Sequence, residues 1–201
     1  MKKLEKLLKK AQSGDIDAQH ELGLEYLDNK DYPNAFKWLN EAASKDHPGA
    51  IFMLGCINYN GWGVKVDKTK AFELLNKASE LGVHGADYLL STFYLKGEVV
   101  EQDTHMGQEL LAKAALLGGF GTAAAELGDM NLTGKYMSEI DHKKAIYCFK
   151  KAFQLGDYKS ACRLFAIYNG AYDPQDADPK QAEYWHRIVD QLLDEGKLND
   201  E

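Results

Sequence analysis

The chain has 201 residues, of which 45% are hydrophobic and 27% are charged, and it contains 4 prolines. This composition is typical of a folded protein and argues against a long disordered region. The formal net charge is -7, whereas nucleic-acid-binding domains usually carry a basic face and a high isoelectric point. The charge balance therefore argues against a nucleic-acid partner.

The N-terminal segment MKKLEKLLKKAQ predicts an amphipathic helix rather than a signal peptide, because charged residues interrupt its apolar positions. No stretch approaches the ~18 apolar residues that a membrane helix needs, so we expect no membrane partner. Cys56, Cys148 and Cys162 lack Cys-x-x-Cys spacing and fit small core residues in a reducing compartment. We therefore expect a cytoplasmic protein.

An Ala-x-x-x-Leu-Gly pattern recurs along the chain, with clear copies beginning at Ala18, Ala50 and Ala123. Weaker copies begin at Ala86 and Ala161, so that successive alanines lie between 32 and 38 residues apart. Self-similarity at such a period is the signature of a repeat protein.

A second pattern, an aspartate followed by small residues at helical spacing, lies downstream of each first one. Because aspartate is a preferred N-cap, each copy predicts the start of a second helix, at Asp31, Asp67, Asp103, Asp141 and Asp178. Gly82, Gly118 and Gly156 follow three of these helices, and we expect them to end the helix in the left-handed conformation.

Each copy thus predicts two helices joined by a turn, and neighbouring pairs must stack to bury both apolar faces. The predicted fold is all-α, a right-handed α-solenoid of about five helix-turn-helix repeats with an N-terminal capping helix. We expect Leu4, Leu7, Leu8 and Ala11 of the capping helix to cover the first repeat. The predicted single domain comprises a capping helix at 2–14, repeats at 15–46, 47–82, 83–118, 119–156 and 157–195, and an acidic, water-facing tail at 196–201.

These residues resemble the Sel-one-like repeat, a relative of the tetratricopeptide repeat. The second copy matches the family pattern best, through Ala50, Leu54, Gly55, Gly61, Gly63, Val64, Asp67, Lys70 and Ala71. The resemblance covers about 18–195 and implies an α-solenoid whose first helices line a concave face. It also implies protein–protein interaction rather than catalysis. The turns depart from the family pattern, most of all in the fifth copy, which reads AYDPQDA where a glycine turn is expected.

The segment YNGWGVKVDKTKA, at 59–71, could be a phosphate-binding loop or a turn between helices. No Gly-Lys-Ser/Thr sequence follows its glycines, and Asp67 would repel an anion. We therefore predict a turn in which Gly61 and Gly63 take backbone conformations that other residues avoid. Trp62 either covers the helix pair or is exposed for a partner, and the sequence leaves both open.

The sequence predicts no catalytic residues, no metal site and no cofactor. No two of its 6 histidines lie three or four residues apart, as two ligands on one helix would, and no catalytic motif is present. A cysteine-rich branch of the resembled family is linked to β-lactam hydrolysis through regularly paired cysteines. The 3 cysteines of this chain do not reproduce that pairing.

Helical spacing predicts which residues of each first helix point toward a partner: those two before, two after and five after the leucine position. Some residues at these positions are not among the partner-binding residues predicted below, namely Leu27, Cys56, Leu95, Ala125, Leu132, Ile167 and Gly170. We expect Phe52 and Tyr88 to form the centre of the contact. The predicted partner-binding residues are His20, Leu24, Phe52, Tyr59, Asn60, Trp62, Tyr88, Thr92, Asp129 and Arg163.

The leading hypothesis is a non-catalytic interaction module or adaptor that binds a protein or peptide on its concave face. A dedicated inhibitor, such as an immunity protein against a toxin, is the alternative. A β-lactamase-like hydrolase is a third hypothesis. The sequence leaves the partner's identity and the oligomeric state open.

Overall fold

The computed structural model describes the backbone of residues 2–137 and 139–198, and every regular element in these two ranges is helical. The prediction of an all-α fold is therefore confirmed. The helices are α1 Lys2–Gln12, α2 Ile16–Asp28, α3 Tyr32–Ala43, α4 Pro48–Asn60, α5 Lys68–Glu80, α6 His84–Lys96, α7 Thr104–Leu116, α8 Gly121–Thr133, α9 His142–Gln154, α10 Lys159–Tyr168 and α11 Pro179–Asp194, with a short 3-10 helix at Pro174–Asp176. Residues 199–201 of the predicted acidic tail lie outside the described residues.

The chain comprises two compact units, Met1–Gln102 and Asp103–Glu201. Unit 1 contains α1 to α6, and unit 2 contains α7 to α11. The division falls in the turn between the two helices of the third predicted repeat.

The five aspartates predicted to be N-caps each precede a second helix, so this prediction is confirmed. Their carboxylates accept backbone N–H groups of the first helical turn at 2.9 to 3.3 Å. Each bond satisfies a donor that the helix itself cannot pair, and each carboxylate complements the positive end of the helix dipole.

Two of the three predicted helix-ending glycines are confirmed, since Gly82 and Gly156 have φ angles of +85° and +91°. The prediction for Gly118 is wrong, because the left-handed residue there is Gly119, with φ +68°. One more residue separates Ala114 from this turn than separates Ala78 from Gly82, so the chain reaches the left-handed position one residue later.

The glycine of the Leu-Gly pattern lies where the second helix crosses the first. A Cβ atom on Gly23 would stand 2.7 Å from Leu39, and one on Gly128 would stand 2.6 Å from Phe149. At Gly55 the corresponding distance to Leu75 is 3.0 Å. The pattern therefore marks the contact at which a side chain of the second helix packs against backbone of the first.

The N-terminal helix packs on the first repeat, as predicted. Leu7 and Ala11 of α1 are buried in one cluster with Ala18, Leu22 and Trp38. The prediction for Leu4 is wrong, because its side chain is 39% exposed. It lies one turn before Leu7, in the part of α1 that precedes this cluster.

Gly196 and Lys197 of the predicted acidic tail are exposed, as predicted, but Leu198 is buried, contrary to prediction. Beyond α11 the backbone N–H of Lys197 donates to the carbonyl of Leu192 at 2.9 Å. This bond turns Leu198 back into the core of unit 2, where it is buried with Trp185 and Leu192.

Candidate functional site

Apart from Trp62, the predicted partner-binding residues of unit 1 lie on α2, α4 and α6, and we call their side chains the first-helix face. None of them is fully buried: Asn60 is exposed, and the half-buried ones are His20, Leu24, Phe52, Tyr59, Tyr88 and Thr92. Two further positions at the same spacing, Cys56 and Leu95, are buried. The spacing is wrong for these two because their side chains pack into the core of the unit.

The first-helix face is continuous from α2 to α4 through two stacked histidines. The rings of His20 and His47 lie 4.3 Å apart between centroids, with an interplanar angle of 28°. His47 also caps α4, because its Nδ1 accepts the Ala50 N–H at 3.1 Å. That tautomer leaves a proton on Nε2, which lies 3.4 Å from Oδ1 of Asp17. His47 was missed in the sequence because it lies before the helix and outside the repeated spacing.

The environment of His20 favours the neutral form of its imidazole. Burial lowers its pKa, and the neighbouring His47 lowers it further, while Asp17 and Glu21 act in the opposite direction. Gly49 leaves room for the ring, since a Cβ at that position would stand 3.0 Å from it.

Tyr59 is anchored by aromatic contacts below the first-helix face. Its ring meets the buried Phe93 edge to face at 5.5 Å, and Phe93 in turn contacts Phe72 at 5.4 Å. Thr92 is less available than predicted from spacing alone, because its hydroxyl donates to the Leu89 carbonyl at 2.7 Å. The Tyr59 ring and the Thr92 hydroxyl are therefore each held by a contact within the unit.

Within the segment at 59–71, residues 61–67 form a turn between α4 and α5, as predicted. Gly61 and Gly63 have φ angles of +74° and +70°. Gly63 lies directly against α3, because a Cβ on it would stand 2.3 Å from Cβ of Tyr32. Trp62 between them is 40% exposed. Its side chain is therefore part of the accessible surface.

In unit 2, Asp129 on α8 and Arg163 on α10 bind each other. Nε and Nη2 of Arg163 donate to the two carboxylate oxygens of Asp129 at 2.6 and 3.1 Å. Hydrogen bonding to Asp129 raises the pKa of the guanidinium, and both side chains remain about 40% exposed. The spacing thus placed both residues on neighbouring helices correctly but did not show that they form a pair.

The spacing also predicted that Leu132 and Ile167 of unit 2 point toward a partner. This prediction is wrong, because both side chains are buried in the core. They lie five and two residues after the leucine position of their copies. Ala125 and Gly170 remain half-buried.

Cys56, Cys148 and Cys162 are free thiols. Burial raises the pKa of Cys56 to about 11 and also raises that of Cys148. Such thiols are protonated at neutral pH and are poor nucleophiles.

Within residues 2–137 and 139–198, no helix combines the length and the apolar character needed to cross a membrane.

Tandem helix pairs with small residues at their contacts define a helical repeat protein. The family model of the Sel1 repeat matches residues 16–47, 48–83, 84–119, 121–157 and 159–188. The chain therefore belongs to the Sel1 repeat family, and the predicted fold class with its five repeats is confirmed. Among curated protein sequences, none matches the chain significantly.

Solved structures show the same fold. A protective antigen of uropathogenic Escherichia coli with an SLR fold aligns with a TM-score of 0.82 and 29% identity over 94% of this chain, which spans 40% of that protein. A Sel1 repeat protein from Oxalobacter formigenes aligns at 0.80 and 27% identity, over 94% of this chain and 78% of its own. An immunity protein from Pseudomonas aeruginosa aligns at 0.61 and 22% identity, over 94% and 73%.

Proposed function

We propose that this protein is a non-catalytic interaction module whose first-helix face in unit 1 binds a protein or peptide segment. The observation that carries the proposal is the row of half-buried aromatic residues Phe52, Tyr59 and Tyr88 on successive first helices. Membership of a family of repeat proteins supports the same class of function.

Rigid aromatic side chains suit this role. They offer large contact areas and lose little conformational entropy on binding, so they are enriched where interfaces draw most of their free energy. The packing of Tyr59 on Phe93 at 5.5 Å fixes one such ring in advance. A partner therefore meets a surface that needs little reordering.

The test combines partner capture with substitution. The wild-type chain and the double variant Phe52→Ala/Tyr88→Ala are used to capture partners from native lysate, and captured proteins are identified by mass spectrometry. We expect the wild type to enrich a partner whose binding, remeasured with purified components, falls at least tenfold in the variant.

Tyr147 and Tyr184 supply matched controls, because they are 67% and 48% exposed but lie on the second helices α9 and α11. The variant Tyr147→Ala/Tyr184→Ala removes the same kind of surface elsewhere and should retain the partner. Equal binding by both double variants, each with wild-type helicity, would refute the assignment of the first-helix face.

A dedicated inhibitor is the second candidate, supported by one fold neighbour that is described as an immunity protein. Identity of 22% supports the fold rather than that role. The two candidates predict different binding: an inhibitor forms one tight complex of fixed stoichiometry, whereas an adaptor captures several partners more weakly. The free thiols fit a reducing compartment, so we place either role in the cytoplasm.

The hydrolase hypothesis has the least support. Its resemblance rests on paired cysteines, whereas Cys56, Cys148 and Cys162 are free. Turnover of a β-lactam by the pure protein, abolished by a substitution on the first-helix face, would restore it.

A further inference from the structure

We propose that His142, Asp173 and Asp176 of unit 2 bind a divalent transition-metal ion such as Zn²⁺. One ring nitrogen of His142 and one carboxylate oxygen from each aspartate all lie within 4.8 Å of one another. The three residues come from the first turn of α9 and from the turn that contains the 3-10 helix.

The three ligand atoms lie close enough together to bind one ion. Ligands at about 2.0–2.2 Å from a tetrahedral Zn²⁺ stand roughly 3.3 Å from each other, so atoms within 4.8 Å can close around one ion with small side-chain movements. His142 and Asp176 are already in contact, with Nδ1 of the ring bonded to Oδ2 of the carboxylate. A cation between them would replace this hydrogen bond with two coordinate bonds.

The charges of the cluster favour a cation. Two carboxylates share a partly buried site in which the side chain of Asp176 is 23% exposed and that of His142 is 18% exposed. Within the described part of the chain, neither aspartate has an ion pair with a lysine or arginine. A divalent ion between them would offset the negative charge of both carboxylates.

Asp173 is also positioned by the backbone. Its Oδ1 accepts the Gln175 N–H at 2.8 Å, which fixes the carboxylate and leaves Oδ2 available. Metal-binding carboxylates in proteins are commonly held in this way by hydrogen bonds of their own.

The donor set selects the class of ion. One imidazole nitrogen and two carboxylate oxygens suit Zn²⁺ and its first-row neighbours, and three protein ligands leave a coordination position for water or a partner's side chain. Ca²⁺ requires six to eight oxygen ligands and no nitrogen, so we expect it to bind far more weakly.

The sequence predicted no metal site because no two histidines have the spacing of ligands on one helix. Here a single histidine, at the start of α9, lies 31 and 34 residues before two aspartates in a turn that departs from the family pattern. Only the fold brings these positions together.

The test is a calorimetric titration of the full chain with ZnCl₂ at neutral pH. We expect binding of one Zn²⁺ per chain that is at least tenfold weaker in Asp173→Asn and in His142→Ala. Asp173→Asn is the sharper variant, because the asparagine oxygen can still accept the Gln175 N–H while the charge is lost. Zn²⁺ should also raise the thermal midpoint of the wild type but not of Asp173→Asn.

His105 and His186 provide controls, since each lies near a carboxylate one turn away, at 3.7 Å from Glu109 and 3.2 Å from Asp190. His105→Ala and His186→Ala should bind Zn²⁺ as the wild type does. A titration without a one-to-one site, an unchanged affinity in Asp173→Asn, or a loss in either control would overturn the proposal. Titration with CaCl₂ gives the remaining check, because an affinity equal to that for Zn²⁺ would contradict the proposed donor set.

Discussion

The turns of the second and fifth repeats each connect the two helices of one repeat, but they do so with different residues. The second, between α4 and α5, uses two left-handed glycines and exposes Trp62 between them. The fifth, between α10 and α11, keeps one left-handed glycine, Gly170, and continues into an acidic segment with a 3-10 helix at Pro174–Asp176.

Both turns nevertheless end in the same structure. Asp67 caps α5 and its backbone N–H donates to the Asn58 carbonyl at 2.9 Å. Asp178 caps α11, and its N–H donates to the Tyr168 carbonyl at 2.9 Å. The two turns therefore share the cap and this one backbone bond, whereas the residues between them differ in sequence and conformation.

The largest expected difference between the two turns is in the free energy of unfolding lost when a glycine is replaced by alanine. Gly63→Ala should lower the free energy of unfolding by about 2–4 kcal/mol, because it places a Cβ at a left-handed residue and 2.3 Å from Tyr32. Gly170→Ala should cost about 1–2 kcal/mol, since its nearest neighbour would be 3.5 Å away and the cost is conformational. Urea unfolding of both variants measures the difference.

Gly82→Ala is the control for the conformational part, because a Cβ on this left-handed glycine would meet no atom within 4 Å. It should resemble Gly170→Ala. If Gly63→Ala cost no more than Gly82→Ala, the packing of the second turn on α3 would contribute nothing to stability.

A smaller effect is expected where the turns agree. Asp67→Ala and Asp178→Ala should each lower the free energy of unfolding by about 1 kcal/mol through loss of the cap. Asp178 accepts two N–H groups, at 3.0 and 3.1 Å, whereas Asp67 accepts one at 2.9 Å. We therefore expect Asp178→Ala to be the more costly of the two, by denaturant midpoint.

The matched control replaces each aspartate with asparagine, which remains a good N-cap. Both asparagine variants should recover most of the lost stability. If alanine lowered the free energy of unfolding at only one of the two aspartates, the two caps would not contribute equally to stability.

The helices and their caps could be predicted because they depend on local spacing. Aspartate caps and small contact residues recur in every copy, and each serves a contact within its own helix pair. Side-chain pairs between repeats could not be predicted in the same way. Asp129 and Arg163 lie 34 residues apart and were selected for the same surface, but their bidentate bond depends on how α8 and α10 adjoin.

The sequence pattern also could not predict which residues at the border of a helix's apolar stripe are buried. Phe52 and Cys56 occupy equivalent spacing on α4, yet one is half-buried and the other buried. The orientation of a helix within the stack decides between them, and periodicity defines a stripe without fixing its edges. The proposed metal site could not be predicted for a related reason, because its three residues lie in two elements.

A further prediction compares the exposed aromatic residues of the two turns, Trp62 at 40% and Tyr172 at 51% exposure. Trp62→Ala and Tyr172→Ala should each change stability by less than about 1 kcal/mol, because both side chains are largely at the surface. If the second turn belongs to the binding surface, Trp62→Ala should weaken partner binding and Tyr172→Ala should not. Equal binding by the two variants would separate the turn from the first-helix face.

The smallest expected effect concerns the contact between two repeats rather than a turn, and it is a change in the pH dependence of stability. At the junction of α2 and α4, burial and His47 lower the pKa of His20 below its usual 6.5, while Asp17 and Glu21 oppose the shift. Between pH 6.5 and that lower pKa the unfolded chain binds more protons than the folded one, so stability is present above pH 6.5 and is lost as the pH falls. His20→Gln should show a smaller loss between pH 7.5 and pH 5.5 in urea unfolding. His105→Gln, at an exposed position, should retain the full loss. An identical decline in wild type and His20→Gln would show that the stacked histidines do not couple this junction to pH.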